Sequence, residues 1–273
     1  MTSANVPASP PPEHQHPAAT PSADGDHVGE GNPRFYEFAR TVVWLIRPLI
    51  ARLHTVGVEN VPRSGPVILA LNHVAWIDTP LAALRAPRMT HFMAKIEMFG
   101  VPILGGIMRL LGSFPVRRGE GDRESLRVAL RLLAQGEMVV IYPEGHRSGG
   151  TLIKAHPGAS LIAFRSGAPV VPVAISGTER VFKGFRYGPW APRVTISYGK
   201  PIHLKASGAR YTRDDLAQST HLIMRRIAEM LPPAYRGEYA HLVAGETKDS
   251  ALHDALHGAD DADDADVGPP SDE

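Results

Sequence analysis

The stretch MVVIYPEGHRSGGTLIKAHPGASLIAFRSGAPVVPVAIS, residues 138–176, decides the fold. MVVIYP (138–143) and APVVPVAIS (168–176) are short apolar runs bounded by turn residues, the pattern of strands buried on both faces. HPGASLIAFRSG (156–167) between them reads as a helix closed by Gly167. Working outward, PVILAL (66–71), THFMAK (90–95) and RVTISYG (193–199) are further strands. TPLAALRA (79–86) reads as a helix with Thr79 as cap and Pro80 in its first turn. DRESLRVALRLLAQG (122–136) and TRDDLAQSTHLIMRRIAEML (212–231) read as two more. Alternation of this kind predicts an α/β fold: a mostly parallel central sheet flanked by helices.

In open α/β sheets, sites form beyond the carboxyl ends of the strands. Asn72, His73 and Asp78 follow one strand, residues 144–148 follow another, and Arg117 and Arg118 follow a third short apolar segment. His73 and Asp78 are five residues apart, about 140° around a continuous helix, so they meet only if a turn intervenes. In that geometry the carboxylate orients one imidazole nitrogen and leaves the other to take a proton from a hydroxyl. A metal site is disfavoured, because the chain has no Cys and no HExxH, and the pair supplies two ligands where zinc needs three or four. No GxSxG marks a serine hydrolase. In PEGHRSGG (143–150) the glycines let backbone amides approach a ligand and Arg147 supplies charge. Glu144 beside it is either an arginine partner or an acceptor for a substrate hydroxyl.

Composition bounds the partners. Residues 1–33 carry seven prolines and no Lys or Arg, and residues 245–273 end in ADDADDADVGPPSDE. Both are expected to be disordered tails, since they bury too little apolar surface to offset the entropy of ordering. Residues 34–244 hold 28 of the 29 basic residues but 14 of the 28 acidic ones, a net charge of +14. Such a core favours phosphates, acidic headgroups or an acidic carrier protein. No nucleic-acid-binding motif accompanies the charge. Residues 1–33 lack the basic start and apolar core of a secretory signal, so the domain over 55–244 is expected on the cytoplasmic side.

RFYEFARTVVWLIRPLIARLH (34–54) places Phe35, Phe38, Val42, Leu45, Ile46, Leu49 and Leu53 on one face of a helix, with Glu37, Arg40, Trp44 and Arg47 opposite. Its longest charge-free run, 41–46, is far short of the ~20 residues a spanning helix needs. The reading is an amphipathic helix that either caps the core or lies on a membrane surface. MFGVPILGGIMRLLGSF (98–114), uncharged over 98–108 and broken by Pro102, Gly105 and Gly106, reads as a second buried or interfacial segment.

In order, NH-x4-D (72–78), G-x-F-P-V-x-R (112–118), P-E-G-x-R-S (143–148) and VVPVAI (170–175) resemble the four motifs of the glycerolipid acyltransferases. The best-known members of that family make phosphatidic acid from 1-acylglycerol-3-phosphate. The resemblance implies His73 as general base and Asp78 as its orienting carboxylate. It implies that Arg118, Glu144, Gly145 and Arg147 bind the acceptor's phosphate and glycerol, and that Pro172 belongs to the fourth, acyl-site motif. MAKIEMF (93–99) adds Lys95 as a phosphate contact. The family usually has threonine where this chain has His146, which bears on the acceptor's identity. The implied reaction carries an acyl group from acyl-CoA or acyl-carrier protein, as co-substrate, to a lysophospholipid at a membrane, with no metal or resident cofactor. The alternatives are another lysolipid or polar acceptor, a hydrolase using the same pair on water, and an inactive lipid-surface protein.

Overall fold

The computed structural model describes residues 29–117, 122–181, 183 and 188–243. Residues 1–28 and 244–273, most of the two expected tails, lie outside the described residues, as does Arg118. The order is α1 (Pro33–Ile50), β1 (Arg52–Val56), β2 (Val67–Leu71), α2 (Asp78–Arg85), β3 (Thr90–Lys95), α3 (Ile96–Phe99), α4 (Leu104–Leu110), β4 (Ser113–Val116), α5 (Arg123–Ala134), β5 (Met138–Ile141), α6 (Gly158–Ser166), β6 (Val170–Ser176), β7 (Arg193–Tyr198) and α7 (Arg213–Glu229). Seven strands form one sheet in the order β1-β7-β6-β2-β5-β3-β4. Every pairing is parallel except β6 with β7.

β2 shows why the fold takes this shape. All five of its residues are buried, and they alternate between two cores. Ile68 and Ala70 join Phe114, Leu132, Leu133, Ile223 and Met224 on the side of α5, α6 and α7. Val67, Leu69 and Leu71 join Leu81, Val171, Ile196 and Tyr198 on the side of α2. Pro172 sits within the central strand β6, yet the β6–β7 ladder begins only at Val173↔Tyr198. The amide that proline lacks therefore falls beside the ladder's end, where a strand tolerates it.

Three boundaries differ from the sequence expectation. The N-terminal helix stops at Ile50, not at 54: Ala51 is extended and Arg52–Val56 pair with β7. Leu53 fits helical spacing, but RLHTV also alternates, and pairing to an open sheet edge satisfies its backbone. The second helix begins at Asp78, without side-chain capping by Thr79. Residues 29–32, read as tail, pack on the domain: the Gly29 carbonyl meets His91 Nδ1 at 2.6 Å, and the Asn32 amide donates to Leu110.

The apolar face of α1 points outward. Tyr36 is buried, with its hydroxyl 3.0 Å from Thr90 Oγ1. Phe38, Leu45 and Leu49 are about 60% exposed, at 65%, 62% and 58%, and Val42 and Ile46 are exposed beside them. In the 98–114 segment, Phe99 and Met108 turn inward while Val101, Ile103, Ile107 and Leu110 stay exposed. Ile103 has φ +66°, a conformation costly for a β-branched residue. Among the described residues, no helix is long and apolar enough to cross a membrane.

Candidate active site

β2 ends at Leu71 and delivers Asn72 and His73 at the carboxyl edge of the sheet. Asn72 is locked to the neighbouring strand: its Nδ2 donates to the Ile175 carbonyl (3.0 Å) and its Oδ1 accepts the Ile175 amide (2.7 Å). The following turn brings Asp78 back to His73, as the five-residue spacing required. Asp78 Oδ2 lies 2.9 Å from His73 Nδ1 and accepts the amides of Val74 (2.6 Å) and Ala75 (2.8 Å). As the first residue of α2, this buried carboxylate also faces the positive end of the helix dipole. With a carboxylate at Nδ1, that nitrogen carries the proton and Nε2 is left with its lone pair.

Glu144, expected at the acceptor site, bonds backbone amides in this structure. It is fully buried, its Oε1 accepting the His73 amide (2.8 Å) and its Oε2 the Ile153 amide (3.1 Å). Each oxygen thus accepts a backbone amide. Burial pushes the Glu144 carboxyl up to about 7, against the lowering pull of those two amides. Ser148, in the same motif, closes the loop by donating its amide (2.7 Å) and hydroxyl (3.1 Å) to the His73 carbonyl. The third motif therefore fixes the backbone of His73 from both sides.

Tyr142, which the sequence reading counted only as a strand residue, stacks on the His73 ring with centroids 4.1 Å apart and planes 27° from parallel. Its hydroxyl meets Thr79 Oγ1 at 2.5 Å, tying the end of β5 to α2. Burial, then the Asp78 carboxylate, pushes this phenol far above its ordinary range, so it stays neutral. An aromatic just before the PEG turn was the available sequence signal.

His73 lines a cavity of about 460 Å³ whose walls are mainly apolar. Leu84, Phe92, Met98 and Met108 form its interior, α1 contributes Ala39 and Val43, and Lys95 and Arg147 bring positive charge. Lys95 also pairs with Glu97 at 3.1 Å. Gly145 takes φ +71° in the turn, close against His156. His146 is exposed and, unlike Arg147, is not part of the cavity wall. Pro172 is buried in β6 and does not reach the cavity. Among the described residues, no group of three or more His, Asp or Glu is placed to hold a metal ion.

A carboxylate-oriented imidazole thus sits at the wall of an apolar cavity edged by Lys95 and Arg147, an arrangement able to move a proton. Residues 52–176 match the family model described as Acyltransferase, and the four motifs fall within that span. The chain is an acyltransferase, similar over this segment to the glycerolipid acyltransferases. It is 28% identical over 196 residues to the 1-acyl-sn-glycerol-3-phosphate acyltransferase of Bacillus subtilis, covering 71% of this chain and 96% of that protein. It is 33% identical over 135 residues to the lyso-ornithine lipid O-acyltransferase of Pseudomonas aeruginosa, covering 49% of this chain and 52% of that one. The fold resembles that of the 1-acyl-sn-glycerophosphate acyltransferase of Thermotoga maritima, with a TM-score of 0.54 at 22% identity, covering 75% of this chain and 80% of the other.

Proposed function

We propose that this enzyme moves a fatty acyl group from a thioester donor to the free hydroxyl of a lysophospholipid, and that 1-acyl-sn-glycerol-3-phosphate is the acceptor and phosphatidic acid the product. The observation that carries the reading is the His73–Asp78 pair at the wall of an apolar cavity bordered by Lys95 and Arg147. His73 Nε2 takes the proton of the acceptor hydroxyl, and the oxygen attacks the thioester carbonyl. The tetrahedral intermediate collapses, the carbon–sulfur bond breaks, and the thiolate leaves with the proton from His73. Asp78 holds the ring and stabilises the imidazolium between these steps. Lys95 and Arg147 hold the acceptor's phosphate. In a purified assay with palmitoyl-CoA, phosphatidic acid should form from 1-acylglycerol-3-phosphate, with no thioester cleavage when acceptor is withheld. Acceptor-independent cleavage would make the protein a thioesterase instead. The second reading, a different lysolipid acceptor, is favoured by His146 and by the likeness to the lyso-ornithine lipid enzyme. A lyso-ornithine lipid preferred over the phosphate acceptor would establish it.

The substrates are membrane lipids, and the exposed faces of α1 and of the 101–110 segment supply the contact. The exposed side chains of α1 lie on the helix that also lines the cavity, which sets the lipid contact beside the site. We place the enzyme peripherally on the cytoplasmic leaflet, where thioester donors are found. Leu45→Asp with Leu49→Asp should abolish co-sedimentation with anionic vesicles. Unchanged sedimentation would remove α1 from the contact.

A further inference from the structure

We infer that a second cavity, at the same edge of the sheet as His73, binds the phosphorylated adenosine end of an acyl-CoA donor. The inference rests on the acyl-transfer reading and deepens it by naming the donor. The cavity, about 570 Å³, is lined by Arg52, Arg180, Lys183, Arg193 and Trp190. No acidic side chain is among its described lining residues. Glu179 lies just behind, pairing with Arg180 (3.1 Å) and accepting the Tyr235 hydroxyl (2.6 Å). Trp190 is 69% exposed, which leaves an indole face open at the cavity.

Topology ties this cavity to the catalytic pair. β7 runs antiparallel to β6, with Ser176 opposite Thr195, so the first residue of β7, Arg193, lies at the edge where β2 and β6 end. Arg52, the first residue of β1, pairs with Arg193. In the order β1-β7-β6-β2, Arg193 lies two strands from the His73 strand and Arg52 three. At roughly 4.8 Å per strand these are lateral separations of about 10 and 14 Å, with Arg193 set about 10 Å further along the strand direction by the register. The apolar cavity opens on the other side of His73, against β3 and α2. A donor whose thioester lies at His73 then has its acyl chain on one side and its phosphates on the other.

The lining matches a nucleotide in two ways. Guanidinium groups grip phosphate oxygens in bidentate fashion, and a flat exposed indole stacks on a purine. An acidic carrier protein would use the cations but not a stacking ring within a cavity. Arg193 is the residue to change: it is exposed, and Arg52 instead donates to the Ala191 carbonyl at 2.9 Å.

The test compares two donors, palmitoyl-CoA and S-palmitoyl-pantetheine, which lacks the nucleotide, on the full chain. Arg193→Ala and Trp190→Ala should each raise KM for palmitoyl-CoA about 10-fold or more with kcat unchanged. KM for S-palmitoyl-pantetheine and for the lysolipid should stay the same. Adenosine 3′,5′-bisphosphate should inhibit wild type competitively against palmitoyl-CoA and inhibit the variants weakly. Equal effects on both donors, or none, would overturn the assignment. Loss of vesicle binding without a change in KM would make the cavity a lipid contact, and activity with acyl-carrier protein but not palmitoyl-CoA would make it a protein contact; either replaces it. Failure of wild type with every donor would sink the acyl-transfer reading itself.

Discussion

Glu144 makes the stability of this enzyme depend on pH in a way that can be worked out. Its carboxyl is buried and raised to about 7 from an ordinary 4.5. The native state therefore holds a proton that the unfolded chain releases between those values. The sign follows: over that window the folded form binds more protons, so stability falls as pH rises from 4.5 and levels off above 7. A shift of 2.5 pH units at 1.36 kcal/mol each gives about 3 kcal/mol. Glu144→Gln keeps the size of the side chain but cannot ionise. It also presents an amide to one of the two backbone donors, an N–H of His73 or Ile153, at a cost of about 1–3 kcal/mol. Urea unfolding of both proteins at intervals from pH 4.5 to 8 measures the effect, because every other titrating group is shared. The stability advantage of wild type should shrink by about 3 kcal/mol across the series. A constant difference at all pH values would refute the claim that the buried carboxyl holds its proton into the neutral range.

Asp78→Asn removes the charge that fixes the His73 tautomer and should lower kcat by about 10³–10⁴, with vesicle binding little changed, in steady-state assays at saturating substrate. Phe114→Ala, a fully buried side chain between β4 and α5, should cost about 3–5 kcal/mol in urea unfolding while leaving KM for the lysolipid unaltered. Met108→Trp fills the apolar cavity and should move the donor preference toward shorter acyl chains, read from competing palmitoyl-, myristoyl- and lauroyl-CoA. A preference unchanged by that substitution would show that the chain lies elsewhere.

The sequence carried the strands well because burial on both faces leaves an unbroken apolar run, as in β2, β5 and β6. It hid β1, because Leu53 fits the helical spacing of the segment before it and only pairing with β7 reveals the alternation. The meeting of His73 and Asp78 was legible from a spacing that no continuous helix satisfies. The work of Glu144 was not: a PEG turn beside an arginine reads as a ligand site, and only the fold shows both oxygens turned inward onto amides. Tyr142 looked like one more strand residue because stacking on His73 depends on how β2 and β5 pair in register. The outward apolar face of α1 was periodic in sequence, but periodicity alone does not say whether such a face meets a core or a membrane.

The most direct test of the central claim is phosphatidic acid formation by wild type and His73→Ala on the same anionic vesicles, with palmitoyl-CoA and 1-acylglycerol-3-phosphate supplied. Wild type should form product and the variant none above background, with equal vesicle binding by both. Product from His73→Ala at the wild-type rate would contradict the central claim.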